Sequence, residues 1–572
     1  MRKLFRGLRA YRKECILGPL FKLLEAAFEL LVPLVVAAMI DDGIAHGDRG
    51  LLVRLGLLLV GLALVGLASS ITAQYFAAKA AVHFAGGLRS QVFARIQQLS
   101  YTQLDAIGGP TLITRMTSDI NQVQTGVNLA LRLLLRSPFI VFGAMVMAFT
   151  IDLQAASIFA VAIAVLCAVV FGLMLWGIPR YRTVQQNLDG LLSITRENLE
   201  GVRVLRAFNK QAGEVARFDG QNDRLTKFGL FVGRVTSLMN PVTYVLINLA
   251  LVVLLRTGAV RVDAGSLTQG QVVALVNYMS QILVELIKMA NLIITITRAW
   301  ACGNRVAQLL EVAPAPDGTE TAPAGSDPAV VFDHVSLTYE GAGGPSLTDI
   351  SFSIPRGSVF GIIGGTGAGK SSVVQLIPGF YRPTEGAVLV DGLETTAWQG
   401  AALRARVGLV PQRAQLFRGT IRSNLLWGSP GAGDAALLRA LDVAQARDFV
   451  EAREGGLDAP VEQGGRNLSG GQRQRLTIAR ALVKRPEILI LDDSASALDY
   501  ATDLALRQAL RRLPDKPTVF IVSQRTSSIR HADKIVVLDE GRVAGIGTHE
   551  ELLKTCPVYQ EIYYSQYEKE AK

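Results

Sequence analysis

The chain has 572 residues, too many for one ordinary core, so two or more domains are expected. Half of the residues are hydrophobic and 19% are charged, a balance too apolar for a wholly soluble protein and too polar for one embedded throughout in lipid. The formal charge of +10 does not point to nucleic acid, because many basic residues flank apolar segments rather than gather in one arm; the four separated cysteines, with no C-x-x-C pair, indicate neither a zinc site nor a disulfide framework.

From Met1 to Glu14 the sequence carries Arg2, Lys3, Arg6, Arg9, Arg12 and Lys13, and a long apolar stretch containing Lys22, Glu25 and Glu29 follows. That length and those charges read as a retained membrane helix behind a cytoplasmic basic end rather than a cleaved signal peptide. Six segments reach the roughly 20 helical residues that cross a hydrocarbon core: Ile16 to Ile40, Leu55 to Ala78, Leu129 to Ile151, Leu153 to Ile178, Val235 to Leu255 and Val272 to Thr297. An even number places both ends on one side. The basic start, and a first loop with Asp41, Asp42 and Asp48, make that side the cytoplasm of a cell membrane.

The loops after the first, third and fifth spans are short, whereas those after the second and fourth run from Lys79 to about Arg136 and from Arg180 to Arg234. Both long loops have helical character and are expected to form paired cytoplasmic arms reaching roughly 40 Å at 1.5 Å per residue. Their candidate coupling tips are Gly108 to Asp119, which includes Arg115, and Gly201 to Lys210, which includes Phe208. Charges inside spans are costly and therefore functional candidates. Glu285 and Lys288 in the sixth span, like Glu25 and Glu29 in the first, share a helical face; a translocation cavity and an intrahelical ion pair are both open readings of Glu285 and Lys288. Asn240-Pro241 is expected to break the ladder of the fifth span.

Proline and glycine over 313–329 mark a linker after a membrane domain at 1–312, and 330–572 alternates strand and helix patterns as an α/β domain does. Here an apolar run, Val359 to Ile363, leads into Gly364-Gly365-Thr366-Gly367-Ala368-Gly369-Lys370-Ser371-Ser372, the G-x-x-x-x-G-K-[ST] phosphate loop. Its glycines let backbone N–H groups turn towards an anion; Lys370 is placed to reach the β- and γ-phosphates of ATP, and the Ser371 hydroxyl to hold Mg²⁺. Downstream, Ile488-Leu489-Ile490-Leu491-Asp492 is a buried parallel strand delivering a carboxylate to that metal. Between them Leu468-Ser469-Gly470-Gly471-Gln472 opens a basic helix, a second anion site that calls for a second nucleotide or a partner.

With these motifs the chain resembles an ATP-binding cassette half-transporter of the exporter type over nearly its whole length. The resemblance implies an α-helical six-span transmembrane domain with long cytoplasmic arms followed by an α/β P-loop nucleotide-binding domain, and ATP-driven export of hydrophobic or amphipathic compounds by alternating access. It implies head-to-tail dimers in which Leu468 to Gln472 closes over the other chain's ATP. It assigns Tyr339 to stacking on adenine, Gln412 to sensing the γ-phosphate and to holding the metal together with Ser371 and Asp492, and Ser496-Ala497-Leu498-Asp499 to a cross-dimer loop. Two positions depart from the family pattern: Asp493 stands where a catalytic Glu is expected and Gln524 where a switch His is expected. The expectation that follows is a degenerate, weakly hydrolysing site in a heterodimer with a second, non-identical half-transporter that supplies the Glu and His. The alternatives are a slow homodimeric exporter and a nucleotide-binding regulatory membrane protein that transports nothing.

Overall fold

A computed structural model describes residues 6–321 and 327–567. Arg2 and Lys3 of the basic start, and Pro323 and Gly325 of the linker, lie outside the described residues. The chain divides into two compact units, one of residues 1–97 and 110–312 and the other of residues 98–109 and 313–572.

Among the described residues of the first unit six helices are long and apolar enough to cross a membrane: Gly7–Ile44, Arg49–Gln98, Gly109–Ile151, Leu153–Glu200, Gln211–Asp263 and Gln269–Glu311. Each contains one of the spans read from the sequence. The arms are continuations of these same helices, Arg49–Gln98 running unbroken for 50 residues and Leu153–Glu200 for 48. The second arm is a helix pair, as expected: Asn198 Nδ2 donates to Glu214 Oε2 at 2.9 Å, and Arg217 lies 3.3 Å from Glu197. Its tip is the short helix Val202–Ala207, and Phe208 follows it, 71% exposed.

Two breaks in the spans have the same cause. The fifth is interrupted at Leu238, between helices Gln211–Ser237 and Met239–Asp263. Pro241 has no N–H to return to the Ser237 carbonyl, so the ladder fails one turn before the proline. The third span, read from sequence as continuous, is likewise interrupted at Leu134 and Leu135 between helices Ile120–Leu133 and Arg136–Ile151. Pro138 removes the bond to the Leu134 carbonyl. The helices pack through small residues, as lipid-embedded bundles do: Ala26, Ala144, Ala148, Ala155, Ala156 and Ala274 are all buried in one cluster. A Cβ on Gly126 would fall 2.2 Å from the Ala299 methyl, so only glycine permits that approach.

The described residues of the second unit form twelve strands: β1 Val330–Leu337, β2 Leu347–Ile354, β3 Val359–Gly364, β4 Glu385–Val390, β5 Leu393–Glu394, β6 Val407–Val410, β7 Gly419–Thr420, β8 Pro460–Val461, β9 Ile488–Asp492, β10 Thr518–Val522, β11 Lys534–Asp539 and β12 Arg542–Gly547. An antiparallel sheet in the order β2-β1-β4-β5 accompanies a six-stranded sheet, β12-β11-β3-β10-β9-β6, parallel except at its β12 edge. Strands β9 and β10 are buried at every position, which is why neither alternates apolar with polar residues along its length. Pairing sets Val522 of β10 beside both Ile362 of β3 and Asp492 of β9, so the loops after these three strands open at one sheet edge. Residues 98–109 belong with this unit. The helix Tyr101–Ile107, closed at its start by a Ser100/Gln103 capping box, stacks Tyr101 on Phe380 with centroids 4.4 Å apart, and Tyr381 donates to Asp105 at 2.5 Å. Arg115, read as part of the first coupling tip, lies beyond this helix in the π-helical turn Arg115–Asp119 of the first unit.

Candidate nucleotide-binding site

At the carboxyl ends of these strands a cavity of about 270 Å³ is lined by Ser346, Thr366, Gly367, Gly369, Lys370, Ser371, Ser372, Gln412, Asp492, Asp493, Val522 and Gln524. Residues from five separate stretches of chain meet there, at the place where open α/β sheets bind ligands. The phosphate loop begins as β3 ends. Gly364 admits no side chain, since a Cβ would sit 2.2 Å from the Leu538 carbonyl oxygen; Gly367 and Gly369 have φ of 85° and 89°, left-handed values that glycine adopts without strain.

Lys370 begins the helix Lys370–Leu376 and is 8% exposed. Its ammonium donates to Gly364 O at 2.9 Å and Gly365 O at 2.6 Å. Burial holds its pKa below the ordinary lysine value despite Asp493 and Asp492 nearby. A buried cation lodged on two neutral carbonyls is electrostatically unfinished, and a phosphate completes it. Ser371 Oγ donates to Asp492 Oδ1 at 3.0 Å. Burial raises the Asp492 carboxyl above its usual range, with the Ser371 hydrogen bond opposing and Asp493 reinforcing the shift. A hydroxyl and an under-compensated carboxylate beside a polyphosphate cradle are hard oxygen donors of the kind Mg²⁺ takes, so the residues present fit that ion.

Asp493 has φ 44° and its N–H donates to Val522 O at 3.0 Å, which fixes its backbone against β10. Gln412 Nε2 donates to Asp493 Oδ2 at 3.3 Å. Burial raises the Asp493 carboxyl as well, against the lowering effects of Gln412, Lys370 and Arg525. Gln524 lines the cavity, and the loop that carries it is tied to the last helix: Gln566 Nε2 donates to Gln524 O at 2.7 Å, while Gln566 Oε1 accepts from Thr526 N at 2.9 Å. Gln566, far along the chain, has no motif to reveal it. Neither do Ser346 and Val522, which line the cavity through strand ends alone.

Other residues read from the sequence lie outside this cavity. Tyr339 packs edge-on to Tyr381 at 5.0 Å and donates to Ser372 Oγ at 2.9 Å, one residue along from Ser371. Leu468 is buried; Ser469 and Gly470 are exposed at the start of the helix Gly470–Val483, where Ser469 and Gln472 form a reciprocal capping box. Gly471 abuts the Ala497 carbonyl, a Cβ there falling 3.2 Å from it. In that neighbouring loop Ser496 and Ala497 are exposed, Leu498 is buried, and Asp499 caps the helix Tyr500–Arg511 by accepting from Thr502 N at 2.9 Å. Two surfaces that a single chain leaves open thus adjoin.

A phosphate loop, a strand-borne aspartate and a capped Ser-Gly-Gly helix on this sheet define an ATP-binding cassette, and the helical bundle before it makes the chain a transporter. Residues 15–286 match the ABC transporter transmembrane region and residues 347–496 the ABC transporter family. The chain is 36% identical over 567 residues to an uncharacterized ABC transporter ATP-binding protein of Mycobacterium tuberculosis, covering 98% of this chain and 97% of that one. It is 33% identical over 570 residues to the YfiB protein of Bacillus subtilis (100% and 99% covered), and 29% identical over 570 residues to an ATP-dependent lipid A-core flippase of Chromobacterium violaceum (99% and 97%). A bacterial Atm1-family ABC exporter solved with ATP bound superposes with a TM-score of 0.80 at 25% identity, over 98% of this chain and 99% of that one. The chain belongs to the ABC transporter family: it is a multi-pass exporter half-transporter with an ATPase domain.

Proposed function

We propose that this chain is the weakly hydrolysing half of a heterodimeric exporter that moves hydrophobic or amphipathic molecules out of the cytoplasm. One observation carries the reading: Asp493 and Gln524 line the same cavity as Lys370, Ser371 and Asp492, at the positions where the exporter pattern has Glu and His. Backbone N–H groups of residues 365–371 and the Lys370 ammonium are placed to hold the β- and γ-phosphates; Ser371, Asp492 and Gln412 would hold Mg²⁺, which would supply neutralisation of phosphate charge. Tyr339 contributes the adenine contact.

Hydrolysis needs a base that takes a proton from water as its oxygen attacks the γ-phosphorus and the bond to the bridging oxygen breaks. The Asp493 carboxylate is one methylene short of that water, and Gln524 offers a neutral donor where an imidazolium would neutralise the leaving charge. ATP therefore stays bound here and favours the closed dimer. Ser469 and Gly470 of this chain, with the Ser496 to Asp499 loop, complete the partner's site, where the Glu and His reside. Closing and opening of the two nucleotide domains, relayed by the arms, alternates the membrane domain between inward and outward access.

The test is ATP turnover by the purified chain alone and with candidate partner half-transporters reconstituted in vesicles. Slow turnover alone and rapid turnover with a partner that carries Glu supports the heterodimer. Rapid turnover alone establishes a homodimer instead.

A further inference from the structure

The first unit contains a chain of four alternating charges within its spans. Arg136 donates to Glu285 at 2.5 Å and to Glu29 at 2.6 Å, and Lys288 donates to Glu285 at 2.8 Å. Glu29, Glu285 and Arg136 come from the first, sixth and third spans. Glu29 and Glu285 fall near the middle of the spans read for them, and Arg136 about two turns inside the start of its own, which puts the cluster within the bilayer. The two carboxylates are not equivalent. Glu285 is 3% exposed and satisfied by Arg136, Lys288 and the Ser137 hydroxyl at 2.7 Å. Glu29 shares Arg136 with it, its side chain is 41% exposed, and among the described residues only its Oε2 is held.

Beside Glu29 lies a cavity of about 430 Å³, lined by Glu29, Asn277, Ser280, Gln281 and Glu285 on its polar side and by Val32, Pro33, Val36, Ile140 and Val284 on its apolar side. That volume is in the range of small-molecule sites. Gln281 reaches Glu29 O only at 3.4 Å, and its Oε1 is buried without a donor. Three groups of the polar wall present acceptors: a carboxylate oxygen, an amide oxygen and the free lone pairs of Ser280, whose hydroxyl proton is committed to Val276 O at 3.0 Å. A carboxylate that shares its one cation, with one oxygen unheld among unmet acceptors, is costly in lipid and calls for a hydrogen-bond donor, most strongly one that is charged.

We propose that this cavity is a recognition site for the N–H-bearing ammonium headgroup of an amphipathic amine, seated on Glu29 with its aliphatic part against Val32, Val36 and Val284. The proposal rests on the exporter reading and narrows its substrate class. Protonated primary and secondary amines supply both the charge and the donors. A quaternary ammonium supplies charge only, an alcohol supplies a donor only, and a fatty acid is repelled by Glu29.

The experiment measures saturable binding of radiolabelled dodecylamine to the full chain in phosphatidylcholine nanodiscs, with trimethyldodecylammonium, dodecanol and dodecanoate as competitors. Dodecylamine is expected to bind most tightly and dodecanoate not to compete. Glu29→Gln is expected to weaken dodecylamine roughly 10–100-fold, the value of a charge-assisted hydrogen bond, and to leave dodecanol unchanged. Absence of saturable amine binding, competition by dodecanoate as strong as by dodecylamine, or amine affinity within about twofold of wild type in Glu29→Gln overturns the proposal. Where Glu29→Gln does not fold, Glu29→Asp decides: a severalfold loss for the amine with dodecanol unchanged supports the site, and equal affinities overturn it. ATP-driven dodecylamine export that does not depend on Glu29 removes the site and keeps the exporter; Glu29-dependent binding with no export by any complex keeps the site and removes the exporter.

Discussion

Replacing Asp493 by Glu together with Gln524 by His is expected to convert this chain's site into a hydrolysing one. Asp493 cannot creep towards the water by a backbone shift, because its N–H is held on Val522 O at 3.0 Å and its carboxylate by Gln412 at 3.3 Å. The extra methylene advances the carboxylate by roughly 1 Å, and a misplacement of that size costs roughly 10²-fold in rate. The histidine adds a cationic donor where Gln524 has a neutral one, a charge-assisted hydrogen bond about twice as strong. The pair of substitutions is thus expected to raise turnover at this site roughly 10²-fold or more. The assay is γ-phosphate release from labelled ATP under single-turnover conditions, in a complex whose partner has its own catalytic carboxylate replaced by the amide, so that only this site reports. A rate within about threefold of the unmodified site, with ATP still bound, would refute the geometric argument. So would an unmodified site that already turns over as fast as its partner.

Lys370→Ala removes the buried cation of the phosphate loop and is expected to weaken ATP binding roughly 10–100-fold, read by photolabelling of this chain; undiminished labelling contradicts the assignment. In the complex, Asp493→Asn is expected to leave steady-state ATPase nearly unchanged while Gly470→Asp abolishes most of it, because the second change blocks the partner's site; the reverse order of effects is incompatible with shared sites. Tyr381→Phe removes the hydroxyl that Asp105 accepts from, and substrate-stimulated ATPase is expected to fall more than ATP affinity does. Equal losses would indicate general destabilisation. Tags after Arg9 and Tyr567 are expected in the cytoplasm and a cysteine at the exposed His46 is expected to label from outside; labelling of either end from outside overturns the six-span topology.

Features that depend on contiguous residues were legible along the chain. Hydropathy runs long enough to cross a bilayer, the glycine spacing before Lys370 and the all-aliphatic strand ending at Asp492 each express a local requirement, so each is written in one stretch of chain. The departures at Asp493 and Gln524 were legible for the same reason. Which distant groups meet was set by folding. Arg136 reads from sequence as a charge at the edge of a loop, yet it is 6% exposed and joins Glu29 to Glu285, because Pro138 breaks the third span just beside it and the first and sixth spans pack against that break. Pro138 was a visible signal for the break, but nothing in sequence spacing pairs residues 136 and 285. Residues 101–107 join the nucleotide unit through Phe380 and Tyr381, a choice made by aromatic partners nearly three hundred positions away rather than by the Thr114–Asp119 stretch itself. Gln566 reaches the carbonyl of Gln524 only because the last helix packs beside β11. Buried charge pairs and side-chain braces draw their stability from long-range packing that excludes water, and that packing exists only once the chain has folded.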